Sequence, residues 1–520
     1  MDFIINLVAF VFSLGIIVAI HELGHLVFAK RAGILCFEYA IGMGPAIYKK
    51  KGKETNFAIR VIPIGGFVSM AGESMATEMV KKDMVVGLNF FNGEVRDIIL
   101  TNEIESEERM TITDFEIYNE HQTGLFIEGY VDGEIKRYTI REDALYKLSP
   151  KNELQIAPYD RCFESKTYTQ KLLTLIAGPA MNFILAILLF LVVVLFTGKP
   201  LNHNVLGNVS EGNPASVAGI QKGDKIMSID GKNIDSWTSI GEALAGLNSF
   251  TNVEVTFERK GTDSLMTVTL NPRIDVNQIG ISNFSKTGVL VAPGGAVVGQ
   301  AFGKSKDILK ENDLITKVVY KDVTYEINGW EDIYALKNIL DGDTIAVTFT
   351  RDGISKTEHL HVWDKAVLQS QGAPGMQVLI GIEPTYGFDL GYTLVYPFRR
   401  TYESFMEVVM VLRLLFGGSN QIGVGDLSGP VGIFNIVGVF ARQGILSLLS
   451  FVAFLSVNIG FINLLPIPAL DGGRILFISI EKVTKKRIPR KTENLVNNIF
   501  FILLMILFVY ITFNDVLRLF

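Results

Sequence analysis

Two histidines four residues apart, with a glutamate beside the first, sit inside an apolar run: Ile16-Ile-Val-Ala-Ile-His21-Glu22-Leu23-Gly24-His25-Leu26-Val27-Phe28. Positions i and i+4 of a helix share one face, so His21 and His25 can bind one zinc ion. Glu22 can take the proton of a zinc-bound water. The eighteen residues from Phe3 to Ile20 carry no charge. Ionisable groups in such a run are expensive and mark function. A third ligand candidate closes the stretch Asn463-Leu-Leu-Pro466-Ile-Pro468-Ala-Leu470-Asp471-Gly472-Gly473-Arg474. Alone, Asp471 reads as a helix-capping aspartate at a membrane boundary. With His21 and His25 present it is the natural third ligand, since two histidines, one carboxylate and a water make a catalytic zinc set.

Two further stretches carry polar or permissive residues where an apolar run would not need them. Gly178-Pro179-Ala180-Met181-Asn182 opens a long apolar segment. Asn182 can hydrogen-bond either an extended backbone or a neighbouring helix. Ile62-Pro-Ile-Gly65-Gly66-Phe67-Val-Ser-Met70 is β-prone and broken by turn signals. It reads as part of a hairpin region at 34–73 that dips into the membrane beside the zinc site, with a strand edge open to an extended peptide; a plain surface hairpin is the alternative. His121 and His203 read as exposed. His359 and His361 alternate along a strand and read as ordinary strand residues. Cys36 and Cys162 are far apart and in no metal-ligand spacing, so a disulfide framework or cysteine zinc site is not expected.

These residues need a membrane to position them. The chain has 520 residues, 48% of them hydrophobic, and a positive mean hydropathy. Its net charge of −6 argues against nucleic acid as a partner. The first run is expected to span at 1–33. Met1-Asp2 offers no positive region of a signal peptide, and Lys30-Arg31 mark a cytoplasmic end. A second span is expected at 166–199 and a third at 446–474. A basic loop follows at 475–497, and a short fourth span at 498–520. Counting basic residues puts both metal half-sites at the cytoplasmic ends of their spans.

Between the spans, 74–165 reads as a small cytosolic α+β or β insert. Residues 200–285 and 286–370 read as two similar extracytoplasmic α/β units. Strand, turn, helix and paired strands in that order resemble PDZ domains. The second unit is degenerate, because it lacks the counterparts of Ala218-Gly219-Ile220 and of Gly223-Asp224. Residues 371–445 read as a linker with an amphipathic helix at Tyr402–Phe416, interfacial by its arginines.

Taken together, His21-Glu22-Leu23-Gly24-His25, Gly178-Pro179-Ala180-Met181-Asn182 and Asn463-x-x-Pro466-x-Pro468-x-Leu470-Asp471-Gly472 resemble the site-2 proteases. The PDZ-like units between the second and third spans look like the bacterial branch that acts in regulated intramembrane proteolysis, the RseP/RasP type. The resemblance covers nearly the whole chain. It implies a polytopic α-helical membrane protein of about four spans, with a membrane-associated β element and two PDZ-like domains. It implies a zinc endopeptidase in the cell membrane that cuts single-pass membrane proteins, such as anti-sigma factors after a first cleavage and signal-peptide remnants. His21, His25 and Asp471 would be zinc ligands and Glu22 the general base. Asn182, Asn463, Gly65, Gly66 and Phe67 would hold substrate. Two rival classes are a non-catalytic receptor with a structural metal, and a zinc transporter. Glu22 argues against the first, and the clustering of polar groups at one end of the spans argues against the second.

Overall fold

The computed structural model describes residues 2–72, 79–119, 124–150, 152–259, 261, 264–285, 289–290, 295–365, 368, 374–416 and 423–517. His121 lies outside them. They form two compact units, Met1–Phe190 with Leu427–Phe520, and Leu191–Asp426. Among the described residues four helices are long and apolar enough to cross a membrane: Phe3–Arg31, Tyr168–Thr197, Ile445–Leu464 and Lys491–Leu517.

The first unit opens with α1 (Asp2–Arg31), whose last turn carries Lys30 and Arg31, charges that suit the negative end of the helix dipole. Two long strands follow, β1 (Cys36–Lys50) and β2 (Asn56–Met70). Each doubles back on itself. Glu38–Ile41 pairs with Gly66–Ser69 on one side and with Asn56–Ile59 on the other, while Ala46–Lys50 pairs with Phe57–Arg60. The bends fall at Gly42 and Gly65, with φ of 87° and 75°, a region that L side chains avoid. Among the described residues, no strand pairs with the outer side of Gly66–Met70. The far end of the sheet exposes Met43, Ile47, Ile59, Val61 and Ile62.

Among the described residues, the segment expected as α+β or β holds strands and two 3-10 turns, Tyr159–Arg161 and Phe163–Ser165, but no α-helix. Strands β3 (Val85–Phe91), β4 (Glu94–Ile99), β5 (Glu108–Glu116), β6 (Phe126–Val131), β7 (Glu134–Ser149) and β8 (Asn152–Gln155) run in the order β4-β3-β5-β6-β7-β8. A further parallel pairing of β4 with β7 closes five of them into a small barrel, which removes the open edges a flat sheet would expose. Leu88, Ile98, Met110, Ile112 and Ile127 fill it and are all fully buried. Helix α2 (Tyr168–Thr197) then begins, with Pro179 inside it.

The second unit repeats one arrangement twice. Lys225–Ile229, α3 (Trp237–Ala245) and the pair Val253–Glu258 and Leu265–Leu270 form the first copy. Leu314–Tyr320, α4 (Trp330–Ala335) and the pair Thr344–Arg351 and Ile354–His361 form the second. Both open on the same device. Asp224 accepts from Gln221 N and pairs with Arg259; Asp313 accepts from Lys310 N and pairs with Arg351. The counterpart of Gly223-Asp224 is therefore present, as Asn312-Asp313. Asn312 has φ of 72° where Gly223 has 91°. The reading of 371–445 as linker missed strands: Met376–Leu379 pairs with Arg273–Val276, Ile382–Pro384 with Leu206–Val209, and Tyr386–Gly387 with Lys199–Pro200. The amphipathic helix is longer than expected, α5 (Leu390–Phe416).

The chain returns to the first unit through α6 (Pro430–Gln443), which packs on α1. Its amino end donates to Asp515, with Gly432 N 2.7 Å from Oδ2, a carboxylate at a helix N-terminus. Helix α7 (Ile445–Leu464) follows. The third span was expected to run to 474. It ends ten residues sooner, because Pro466 and Pro468 cannot donate to a continuing helix, and α8 starts afresh at Asp471–Thr484. The fourth span, expected to be short, is the full helix α9 (Arg490–Leu517).

Candidate metal centre

His21 and His25 lie one turn apart on α1 and face the same way, with ring centroids 4.9 Å apart. Asp471 is the first residue of α8. It reaches the histidines because the chain between α7 and α8 turns tightly. Ala469 takes φ of 76°, and Leu470 N donates to Ile467 O. Gly472 is required by that turn, since a Cβ there would fall 2.1 Å from Leu465 O. The result is a triangle of three atoms. His21 Nε2 and His25 Nε2 are 3.2 Å apart, and Asp471 Oδ2 is 3.2 Å from the first and 3.3 Å from the second. Both histidines are buried.

The triangle is difficult to explain by hydrogen bonds alone. Asp471 Oδ2 is buried and makes no aligned hydrogen bond. His25 Nδ1 lies 2.8 Å from Thr174 O. A carbonyl only accepts, so Nδ1 carries the proton there and the neutral ring presents a lone pair at Nε2. Buried lone pairs that converge on one point repel unless a cation shares them. A tetrahedral ion with bonds of about 2.0 to 2.1 Å spaces its ligand atoms about 3.3 to 3.4 Å apart, close to the three distances seen. The residues present fit a divalent metal. Among the described residues this is the group of His, Cys, Asp and Glu side chains that converges in this way. His203 contacts Thr385 Oγ1 instead, at 3.0 Å, and His359 and His361 remain on their strand.

The other candidates surround the triangle to different degrees. Glu22 is buried beside it. Gly66 presses on Glu22: a Cβ there would lie 3.0 Å from Glu22 Cγ and 2.7 Å from Val18 Cγ1. Tyr39 ties the same sheet to α1 by donating to Ala19 O at 2.7 Å. Gly65 forms the adjoining bend, and Phe67 stands half-exposed under the Arg60 guanidinium, 5.1 Å from its ring centre. Asn463 is half-buried in the last turn of α7. Asn182 is fully buried and contacts His21, with Nδ2 3.2 Å from Nδ1.

Thr174, Ser456 and Gly460 matter here and were not singled out by sequence, whereas Gly24 and Gly178 belong to motifs that were. Thr174 orients His25 through its backbone, which no side-chain motif encodes. Gly178 admits the His25 ring, since a Cβ would fall 2.2 Å from Nε2. Gly24 admits α2 in the same way, its Cβ position lying 2.3 Å from Ala177 O, so the neighbour it makes room for is a helix backbone. Ser456 and Gly460, four apart on α7, hold Asn182: Ser456 Oγ donates to Asn182 O at 2.8 Å, and the Gly460 Cβ position is 3.1 Å from Asn182 Cβ. The small-x-x-x-small spacing was the available signal.

The family model described as peptidase family M50 matches residues 9–507. The curated relatives of the chain include a zinc metalloprotease RasP of Geobacillus kaustophilus, 32% identical over 99% of this chain and 98% of the relative. A protein of the same name from Oceanobacillus iheyensis is 32% identical over 99% of each. The regulator of sigma-W protease RasP of Bacillus subtilis is 33% identical over 100% of each. Matches that run the length of both chains make this protein a member of peptidase family M50, the site-2 proteases.

Proposed function

We propose that this site-2-type zinc metalloprotease holds its metal on His21, His25 and Asp471 and uses Glu22 as general base. The observation that carries the reading is the triangle of Nε2, Nε2 and Oδ2 atoms at 3.2 to 3.3 Å, with a carboxylate next to it in the chain. Zinc bound there supplies a Lewis acid and a water of lowered pKa. Glu22 takes the proton and hands it to the leaving amine of the cut peptide. The outer edge of Gly66–Met70 holds the substrate as an added strand. Gly65, Gly66 and Phe67 line that edge, and Gly66 lets its backbone approach Glu22. A helical substrate hides its carbonyls in its own hydrogen bonds, so it must unwind to be read this way. Asn463 helps to hold the unwound segment near the metal.

The substrates are single-pass membrane proteins within the lipid bilayer: anti-sigma factors trimmed by a first protease, and signal-peptide remnants. The Bacillus subtilis relative bears the name of a sigma-W regulator, which supports the first class. The basic residues at the ends of α1 and after Asp471 support a site near the cytoplasmic face of the cell membrane. The two repeated units of Leu191–Asp426, PDZ-like in element order, would then be extracytoplasmic and would reject substrates with bulky ectodomains. Helix α5 leaves Leu390, Leu394, Phe398, Tyr402 and Met406 exposed at four-residue spacing, as an interfacial helix would.

Purified E22Q protein tests the mechanism. It should bind zinc like the parent and cleave a model single-span substrate at least about a hundredfold more slowly. Cleavage at the parent rate rejects the role of Glu22. Zinc without cleavage in the parent points to a receptor, and zinc uptake into vesicles points to a transporter.

A further inference from the structure

We infer that Asn182 is a positioning residue for His21: its side-chain oxygen accepts the Nδ1 proton and so turns the Nε2 lone pair toward Asp471. This rests on His21, His25 and Asp471 holding the metal.

The tautomer argument starts from what Nε2 must do. A neutral imidazole has one N–H and one lone pair. If Nε2 of His21 ligates a metal, Nδ1 carries the proton and needs an acceptor. The neighbour of Nδ1 is Asn182, fully buried, with one amide atom 3.2 Å away and the other, Oδ1, buried without a partner. In the structure the nearer atom is Nδ2, a donor. A donor there would demand a lone pair on Nδ1 and a proton on Nε2. That proton would sit between His25 Nε2 and Asp471 Oδ2, where the lone pairs of the triangle converge. A half-turn of the amide exchanges its two ends and aims Oδ1 at the Nδ1 proton. One amide atom lacks a partner in either orientation, so the number of hydrogen bonds does not decide between them. The tautomer that a ligand needs does decide.

His25 supports this by symmetry. Its Nδ1 faces Thr174 O at 2.8 Å, an acceptor that cannot be anything else. Both histidines are thus oriented from α2, one by a backbone oxygen and one by a side-chain oxygen eight residues later. The backbone and Cβ of Asn182 are themselves held from the other side. Ser456 fixes its backbone oxygen, and the missing Cβ at Gly460 lets α7 close on it. The helix that leads to Asp471 therefore also seats the residue that orients His21.

Outer-sphere partners of metal-bound histidines typically contribute 10- to 100-fold to metal affinity. The experiment compares parent, N182L, N182A and N182D as full-length protein in detergent, with zinc affinity measured by competition with a chromogenic chelator. The cobalt-substituted forms are read by their visible absorption. N182L and N182A should bind zinc 10- to 100-fold more weakly and change the cobalt spectrum. N182D keeps an acceptor and should bind within a few-fold of the parent. Cleavage kinetics should show the loss mainly in kcat. Parent-like zinc affinity in both N182L and N182A overturns the inference, as does a rise in KM alone, which would make Asn182 a substrate contact. Equal loss in N182D and N182A overturns it too. Should N182L fail to fold, N182A carries the comparison. If the parent binds no zinc, or if D471N binds it as well as the parent, the ligand set itself is wrong, a result that does not depend on Asn182.

Discussion

At the scale of single residues, the absence of a side chain does as much for the site as its presence. Gly15 and Gly24 lie on one helix and look alike in sequence. A methyl at Gly15 meets nothing within 4 Å, whereas one at Gly24 would strike Ala177 O at 2.3 Å. Gly178 faces a candidate ligand itself, with His25 Nε2 2.2 Å from its Cβ position. The ring cannot yield without leaving the triangle. G178A should therefore lose cleavage by at least about a hundredfold, since displacing a catalytic group by about 1 Å is enough for that, and its zinc content should fall. G15A should match the parent in both. Zinc analysis and a cleavage assay on the two variants check this, and parent-like G178A would refute it. His21, Glu22, His25 and Asp471 were legible because ionisable groups in apolar runs stand out. The acceptors behind them were not, because a backbone oxygen such as Thr174 O leaves no mark on composition. Asn182 was visible as an anomaly, but its neighbour His21 lies 161 positions away, and spacing along the chain cannot supply that.

Elements show a different boundary between what sequence tells and what it hides. The four spans were readable from apolar runs and several strands from alternation, but the short strands Met376–Leu379, Ile382–Pro384 and Tyr386–Gly387 were not. The pairing of β4 with β7 was not, because parallel contacts between distant strands have no local signal. The second repeat of Leu191–Asp426 looked degenerate in part because a glycine was sought where asparagine serves; both residue types tolerate positive φ. The structure gives the two copies the same load. Asp224 and Asp313 are buried, each accepts one backbone N–H, and each binds an arginine through two nitrogens. The hydrogen bonds that Arg351 donates to Asp313 hold its guanidinium above its ordinary pKa, and those that Arg259 donates to Asp224 do the same. Removing one buried charge of such a pair leaves the other uncompensated. D224N and D313N should each destabilise this unit by about 2 to 3 kcal/mol. The two costs should be similar, and zinc content should not change. Denaturant titration followed by hydrogen exchange of residues 204–380 measures this. A much smaller cost for D313N would mean that the second copy is not built on the device it shares with the first.

At the scale of the whole molecule, the three candidate ligands come from both ends of the chain, two from α1 and one from α8. The polar link between these elements at that point is the triangle itself, beside an apolar contact in which Ile475 and Ile478 of α8 pack against the cluster that holds Leu26 and Ala29 of α1. Asp471 Oδ2 has no aligned hydrogen bond, and the turn before it runs through Pro466 and Pro468. An ion shared by the two ends therefore acts as a cross-link in the folded state. Binding that is confined to the folded state stabilises it by about 4 kcal/mol when free metal exceeds the dissociation constant a thousandfold. Chelation should lower the thermal midpoint of the parent and speed hydrogen exchange in α1, α7 and α8. It should leave exchange in residues 204–380 unaltered. The same chelator should have no effect on D471N or on the H21A/H25A double variant, whose midpoints should already equal that of the chelated parent. If chelation shifts these variants as far as the parent, the stabilising metal sits elsewhere. If it shifts none of the proteins, the two ends are held together by packing alone, and the triangle of Nε2 and Oδ2 atoms has no part in stability.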